Sequence, residues 1–414
     1  MPHPSKANRD LMREINRNLV FNLIQRQGPI ARANLARISG LSPATVTGIV
    51  NELIEIGLVQ EIGTGESSGG RRPVQLCINR GAGFVVGIKL MEQNISSAVT
   101  DLDAQVLFHE MTPLPISSRD PETVQSATVQ VIEHAIQSSG IDRDRVLGVG
   151  IGLAGLIDGK HGIVRYSPYF GWRDYDFAKP ISQALNLPVR LENDVNTLTI
   201  AEQWFGYGHG KDHFVVVTVG RGIGAGLVVN DQFYRGAIGG AGEFGHLTLQ
   251  ENGPRCDCGK RGCLEALAAD PAVIREIKSV NTIGNKSNLP SNSELTLDDI
   301  IEAANQGDRL AQQALANSGH WLGIGLANLV NLLNPELIII GGEGLRAGEW
   351  RLEAMRKALD EHVFNGLADS LEIVVEPSGD EAWARGAACV VLQGLFESPI
   401  HKEAIEDIIP SSFD

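Results

Sequence analysis

Apolar positions along the first eighty residues fall at helical spacing and then switch to strand spacing. Ile15, Leu19, Val20, Leu23 and Ile24 mark one face of a helix over residues 9–27, closed by Gly28-Pro29. A shorter helix is predicted from Arg32 to Ser39, where Gly40 ends it. A third opens on Ser42-Pro43, with Ser as N-cap and Pro at the first helical position, both favoured there. Its apolar stripe is Val46, Ile49, Val50 and Leu53, spaced i, i+3, i+4, i+7. Two apolar segments, 58–62 and 74–78, then flank a Gly/Ser-rich tip that carries Arg71 and Arg72. Helix, glycine turn, capped helix and a two-stranded wing are the pattern of a winged helix-turn-helix.

From about residue 81 the pattern becomes α/β. Strands are predicted over 84–88, 95–100 and 106–109, then a helix over 123–139 and a strand over 146–153 that runs into Ala154-Gly155-Leu156. A second set starts at Val215–Val219, turns through the glycine run 220–226, continues over 227–229, and closes with 337–340 and Gly341-Gly342. Strand pairs hinged on glycine-rich turns, met twice, predict a duplicated α/β domain around a cleft. The organisation read from this is a DNA-binding module over 1–80, a first lobe over 81–195 joined by a helix near 380–397, and a second lobe over 196–379. Residues 279–296, rich in Ser and Asn, read as a mobile surface loop.

Charge sharpens the division. The chain has 414 residues and a net charge of −15. Residues 1–80 hold ten Lys/Arg against six acids, a local +4 that leaves −19 for the remainder. A basic module on an acidic body has one part suited to polyanions and one that is not. On the third helix, Ala44, Gly48, Asn51 and Glu55 lie opposite the buried stripe with Thr45 and Thr47 beside them, and no Lys or Arg occurs from Pro43 to Ile56. Guanine readout by bidentate Arg is therefore absent from this helix, whereas Asn51 can pair with adenine and Ala or Thr methyls can meet thymine methyls. Phosphate contacts fall to Arg71, Arg72 and the first helix. No run has the length of a membrane span and no signal-peptide core is present, which with unpaired thiols fits a reducing cytoplasm.

Three of the five cysteines, Cys256, Cys258 and Cys263, fall within eight residues, and His246 lies ten residues upstream. Three thiolates and an imidazole complete a tetrahedral zinc shell with no position open for a catalytic water, so the metal is expected to be structural. Incidental core cysteines are the alternative, against which stand the interleaved Asp257, Lys260 and Arg261. Glu243 and Glu265 flank this loop, as outer partners that a metal would fix in place. At 192–195, Glu-Asn-Asp-Val puts Asn193 and Asp194 at a strand end just before a helix. There they read either as helix caps or as partners for sugar hydroxyls, which both donate and accept.

Glu-Asn-Asp-Val at 192–195, Gly-Glu-Phe-Gly-His at 242–246 and Cys-x-Cys-Gly-x-x-Gly-Cys-x-Glu at 256–265 resemble the signatures of the ROK family of sugar kinases and sugar-responsive repressors. The resemblance covers essentially the whole chain. It implies an actin-like α/β fold of two ribonuclease-H-like lobes behind the winged helix, with structural zinc on His246, Cys256, Cys258 and Cys263. It also implies a sugar held by Asn193, Asp194, Glu243, His246 and Glu265, with Gly155 contributing backbone, and His246 facing zinc with one ring nitrogen and the sugar with the other.

The family's kinases open with an Asp-x-Gly-Gly-Thr-Lys loop around the nucleotide phosphates. Here the same place reads Gly87-Ile88-Lys89-Leu90-Met91-Glu92-Gln93-Asn94, with Lys89 for the Asp and the Gly-Gly-Thr lost. Phosphoryl transfer depends on positioning and charge stabilisation, so no enzyme activity is expected, and Asp194, the kinase base by resemblance, is left vestigial. The reading is a repressor of carbohydrate genes, an assembly of two or four copies, released from operator DNA by a sugar. Xylose or a similar pentose is the favoured effector, with glucose, N-acetylglucosamine and their phosphates as rivals. An active kinase with an appended DNA-binding module, and a repressor governed by a partner protein, are the alternatives. The tail after Ser398, acidic apart from Lys402, receives no role. Selection from random double-stranded DNA should return an A/T-leaning half-site; a G/C-rich one would contradict this view of the third helix.

Overall fold

The computed structural model describes residues 9–64, 73–114, 119–281, 289, 295–376 and 379–396. Most of the predicted loop at 279–296 and the tail after Ser398 lie outside them. The chain begins with α1 (Arg9–Gln27), β1 (Ile30–Ala31), α2 (Arg32–Ser39), α3 (Pro43–Glu55), β2 (Val59–Thr64) and β3 (Val74–Ile78). Ser42 caps α3 by accepting the Thr45 N–H at 3.1 Å, and Gly40 ends α2 with φ +69°. Val46, Ile49, Val50 and Leu53 are all buried, alongside Val20, Ile24, Leu35 and Leu76. The wing is a three-stranded sheet in the order β1-β3-β2. Its first strand, two residues long, is too short to show alternation in sequence.

The face of α1 differs from the prediction. Leu19 is 38% exposed, while Phe21 is buried and stacks on Phe396 with ring centroids 5.2 Å apart. Asn22 donates to the Phe396 carbonyl at 2.7 Å. The helix therefore turns the Val20–Phe21 arc inward to meet a partner from the far end of the chain, and Leu19 is left outside.

Next come β4 (Phe84–Leu90), β5 (Asn94–Thr100), β6 (Val106–Pro113), α4 (Pro121–Ser139), β7 (Val146–Leu153), β8 (Leu156–Asp158), β9 (Ile163–Tyr166), β10 (Arg173–Asp176), α5 (Ala178–Leu185) and β11 (Val189–Asn193). They build one five-stranded sheet, β11-β7-β4-β5-β6, and a small one, β10-β9-β8. The rest comprises α6 (Asp194–Phe205), β12 (His213–Val219), β13 (Ile223–Val229), β14 (Gln232–Phe233), α7 (Leu264–Ala268), α8 (Asp270–Asn281), α9 (Leu297–Asn305), α10 (Arg309–Leu333), β15 (Leu337–Gly341), α11 (Glu349–His362), β16 (Glu372–Val375) and α12 (Asp380–Phe396). Their sheet runs β14-β13-β12-β15-β16. In both sheets a three-stranded antiparallel meander carries, beside its first strand, a parallel strand from later in the chain. This shared order is the duplication expected from the sequence.

Two compact units result, Met1–Glu192 with Ala384–Asp414, and Asn193–Trp383. The winged helix falls in the first unit because α1 rests on the end of α12. In that unit α12 also lies on β4 and β7 with no side chain between. A Cβ at Gly87 would meet the Ala384 carbonyl oxygen, and one at Gly150 the Ala387 carbonyl oxygen. Replacing Gly87 by Ala should cost about 1–3 kcal/mol of stability, because neither backbone can yield to a methyl group. A calorimetric melting temperature unchanged by Gly87→Ala would show that α12 does not sit there.

Candidate functional site

On the winged helix, Ala44, Thr45, Thr47, Gly48 and Asn51 all lie exposed on α3. The two threonine hydroxyls are already engaged. Thr45 Oγ1 lies 2.8 Å from Ser42 Oγ, and Thr47 Oγ1 donates to the Pro43 carbonyl at 2.7 Å, which fixes the rotamers of both side chains. Arg32 at the start of α2 reaches the same face. It donates to Asn51 Oδ1 at 3.4 Å and to Glu61 Oε1 of β2 at 2.8 Å. Beside Asn51, Glu52 accepts from Arg13 at 2.7 Å and Arg17 at 3.2 Å. Burial pushes the Glu52 carboxyl up, but hydrogen bonds and charge from Arg13 and Arg17 outweigh it and hold it below the usual range. Two of the α1 arginines expected to meet phosphate, Arg13 and Arg17, are thus paired within the protein. Arg71 and Arg72 lie outside the described residues.

The second candidate site belongs to the Asn193–Trp383 unit. Asn193 caps α6, its Oδ1 accepting from Val195 N at 2.9 Å and Asn196 N at 3.3 Å. Asp194 is buried and accepts the Val195 N–H at 3.0 Å. Asn193 carries the capping role read from sequence, and Asp194, the first residue of α6, lies close enough to affect the acidity of Glu243. The glycine run 220–226 is not one long turn. The turn is confined to Gly220–Gly222, while Gly224 and Gly226 lie inside β13, where a Cβ would strike Val195 and Thr199 of α6. The absent side chains bring α6 onto the strand.

Gly242 and Gly245 lay the next motif on that strand. A Cβ on either would meet the carbonyl oxygen of Ala225 or Ile223, and Ala225 N donates to the Gly242 carbonyl at 3.0 Å. With the backbone so held, His246 points Nδ1 at Cys256 Sγ, 3.7 Å away, and Nε2 at Glu243 Oε2, also 3.7 Å away. Cys258 Sγ and Cys263 Sγ are 3.7 Å apart, and the four donor atoms lie within 4.8 Å of one another. Thiolates about 2.3 Å from a tetrahedral zinc stand ~3.8 Å apart, so the spacing fits such an ion. Burial raises the Cys256 and Cys263 thiols, whereas the Lys260 N–H draws Cys258 down against its own burial. Three thiolates this close need a cation to ionise together.

Glu265 ties the cluster to the sheet. One carboxylate oxygen accepts the Ile223 N–H at 3.1 Å and the other faces the Cys256 thiol at 3.7 Å. Burial raises Glu243; His246 opposes this, while Glu265 and Asp194 reinforce it, although its outer edge stays open to solvent. Glu343 was not foreseen. It follows the Gly341-Gly342 strand end, its carboxyl occupies the space a Cβ on Gly220 would need, and it accepts the Arg221 N–H at 2.8 Å. An acid directly after a glycine pair at a strand end was the available signal. Gly155, with φ +130° and its Cα against the Tyr166 carbonyl, belongs to the other unit. So does Lys89, buried near the end of β4, after which Met91 N donates to Asn94 O at 2.9 Å and closes a short turn.

Comparison with known proteins accounts for this layout. A winged helix-turn-helix DNA-binding model matches residues 9–60, and a ROK family model matches residues 85–394. The xylose repressor of Bacillus subtilis is 34% identical over 391 residues, covering 94% of this chain and 98% of that protein. The crystal structure of a ROK family transcriptional regulator, a homologue of the Escherichia coli MLC protein, superposes with a TM-score of 0.83 at 31% identity, over 94% of this chain and 98% of that one. A ROK glucokinase from Streptomyces griseus, solved with glucose and AMPPNP, matches 74% of this chain and 99% of its own, at 29% identity and a TM-score of 0.64. Matched by the family model over most of its length, and by a xylose repressor nearly from end to end, the chain belongs to the ROK family.

Proposed function

We propose that this protein is a transcriptional repressor that holds double-stranded operator DNA through its winged helix and lets go when a small sugar binds the second unit. The observation that carries this reading is the pairing of a DNA-reading module with the family's sugar motifs in a chain with a buried Lys89 near the end of β4. Asn193, Asp194, Glu243, His246 and Glu265 are the sugar partners. Carboxylates and amides side by side offer the mixed donors and acceptors that hydroxyls require. Release follows if the sugar binds more tightly to the conformation that DNA disfavours, since the linkage between the two ligands is reciprocal. A pentose such as xylose is the favoured effector, in keeping with the repressor relative.

Transfer of a phosphoryl group is not part of this function. Lys89 takes the place of the kinase carboxylate, the β4–β5 turn is too short to wrap phosphates, and the Glu343 carboxylate already holds the Arg221 amide. The ROK family model matches residues 85–394 and the winged helix-turn-helix model residues 9–60, which supports a DNA-binding module joined to a sugar-binding body. His246, Cys256, Cys258 and Cys263 would hold zinc, which supplies the charge that lets the three thiols ionise. The loop so fixed would keep Glu243 and Glu265 in register with β13. The working assembly is a homodimer or a tetramer.

Genomic fragments captured on the purified full-length protein, then challenged with a panel of sugars and sugar phosphates, should be released by one of them. ADP production with any of these sugars would instead favour the kinase, and release by a cell extract but by no sugar would favour a partner protein. Elemental analysis should find about one zinc per chain, lost in a Cys263→Ser variant along with its response to sugar. Full response without zinc would remove the metal from the mechanism.

A further inference from the structure

We infer that Arg32 is a positioning residue for DNA reading: it holds the Asn51 carboxamide in the one orientation suited to adenine. The inference rests on the proposed role of α3 and goes beyond it, because α2 is not otherwise expected to influence base choice. The α3 segment from Pro43 to Ile56 carries no cation of its own. One is supplied from the side, where the Arg32 guanidinium donates one nitrogen to Asn51 Oδ1 at 3.4 Å and another to Glu61 on the wing at 2.8 Å. Arg32 is itself only 27% exposed, so its fork is held between the two helices and β2.

The chemistry of the amide makes this consequential. An exposed Asn rotates freely and presents oxygen or nitrogen with equal ease, and that freedom is lost on binding. A guanidinium is a pure donor, so only Oδ1 can face Arg32. The second lone pair of Oδ1 and both Nδ2 hydrogens then remain for a base edge. That is the pattern adenine requires, accepting from its N6 amine and donating to N7. Glu61 completes the arrangement by fixing the guanidinium from the other side. The Thr45 and Thr47 hydroxyls are tied down within α3, which leaves Asn51 as the directional polar group among the five reading positions.

A double-mutant cycle on the full-length protein tests this, using as probe the double-stranded fragment it selects from random DNA. Arg32→Gln should weaken binding roughly tenfold and flatten the preference for adenine at one position of the half-site. In an Asn51→Ala background the same change should alter affinity less than about twofold. Glu61→Gln, which removes the wing partner but leaves Arg32 beside Asn51, should keep the adenine preference. Arg32→Lys covers the case in which Arg32→Gln does not fold, because it retains a charge for Glu61 but not the fork, and it too should lose the preference. Additive losses in the cycle, or an adenine preference that survives both Arg32 variants, would overturn the role of Arg32. If Asn51→Ala alone changed neither affinity nor preference, the reading of DNA by this face of α3 would fall first.

Discussion

Close approach at glycines, where a neighbour's atoms fill the place of a side chain, is the constraint on which both units depend. In the first, the backbone of α12 lies on β4 and β7 at Gly87 and Gly150; in the second, the Val195 and Thr199 side chains of α6 rest on β13 at Gly224 and Gly226. The 242–246 segment repeats the device, with Gly242 and Gly245 set against carbonyls of the same strand. Interiors packed this closely cannot absorb even a methyl group without displacing a neighbour. Two consequences reach the sites. Because β13 is pressed on one side by α6 and on the other by the 242–246 segment, Asp194 and Glu243 are brought within electrostatic range of each other. Because the loop backbone is fixed, His246 can direct its two ring nitrogens to different partners, a thiol and a carboxylate.

Buried charge plays a narrower part. Arg351 is fully buried, donating to Asp270 at 2.8 Å and to the Gly344 carbonyl at 2.6 Å, while Asp270 N donates to Gly220 O at 2.9 Å. This network ties the segment after β15 to the Gly220 turn, and so sets where Glu343 can reach. Burial raises the Asp270 carboxyl and Arg351 opposes it, the balance typical of an ion pair away from water. Such a pair serves to define one arrangement of loops more than to stabilise it, since removal of either partner would strand the other.

Legibility followed the range of each interaction. The helices of the winged module were readable because caps and apolar stripes are local, and α3 buried the four residues its spacing named. The His246, Cys256, Cys258 and Cys263 cluster was readable because its members lie within one short stretch. What could not be read were partnerships across distance in the chain. Phe21 and Phe396 determine which face of α1 is buried, Arg13 and Arg17 are claimed by Glu52, and Glu343 covers the Gly220 turn. The 220–226 run was misread for a different reason. A glycine needed for a turn and one needed for close approach look the same in sequence, and only the neighbour on α6 tells them apart.

The placement of α12 also bears on how the chain is made. The sheet of the first unit is covered by a helix whose residues leave the ribosome only after all of Asn193–Trp383. At translation rates of about 5–20 residues per second, the glycine-lined face of β4 and β7 waits roughly 10–40 s for its cover. The second unit, continuous in sequence, can close on itself during that interval. The DNA-binding module is seated later than either, because Phe396, which stacks on Phe21 of α1, is the last residue of α12. Biosynthesis therefore delivers the continuous second unit before a seated DNA-binding module, and a chain that stopped ahead of α12 would keep the former while losing both the cover of the first sheet and the seat of α1.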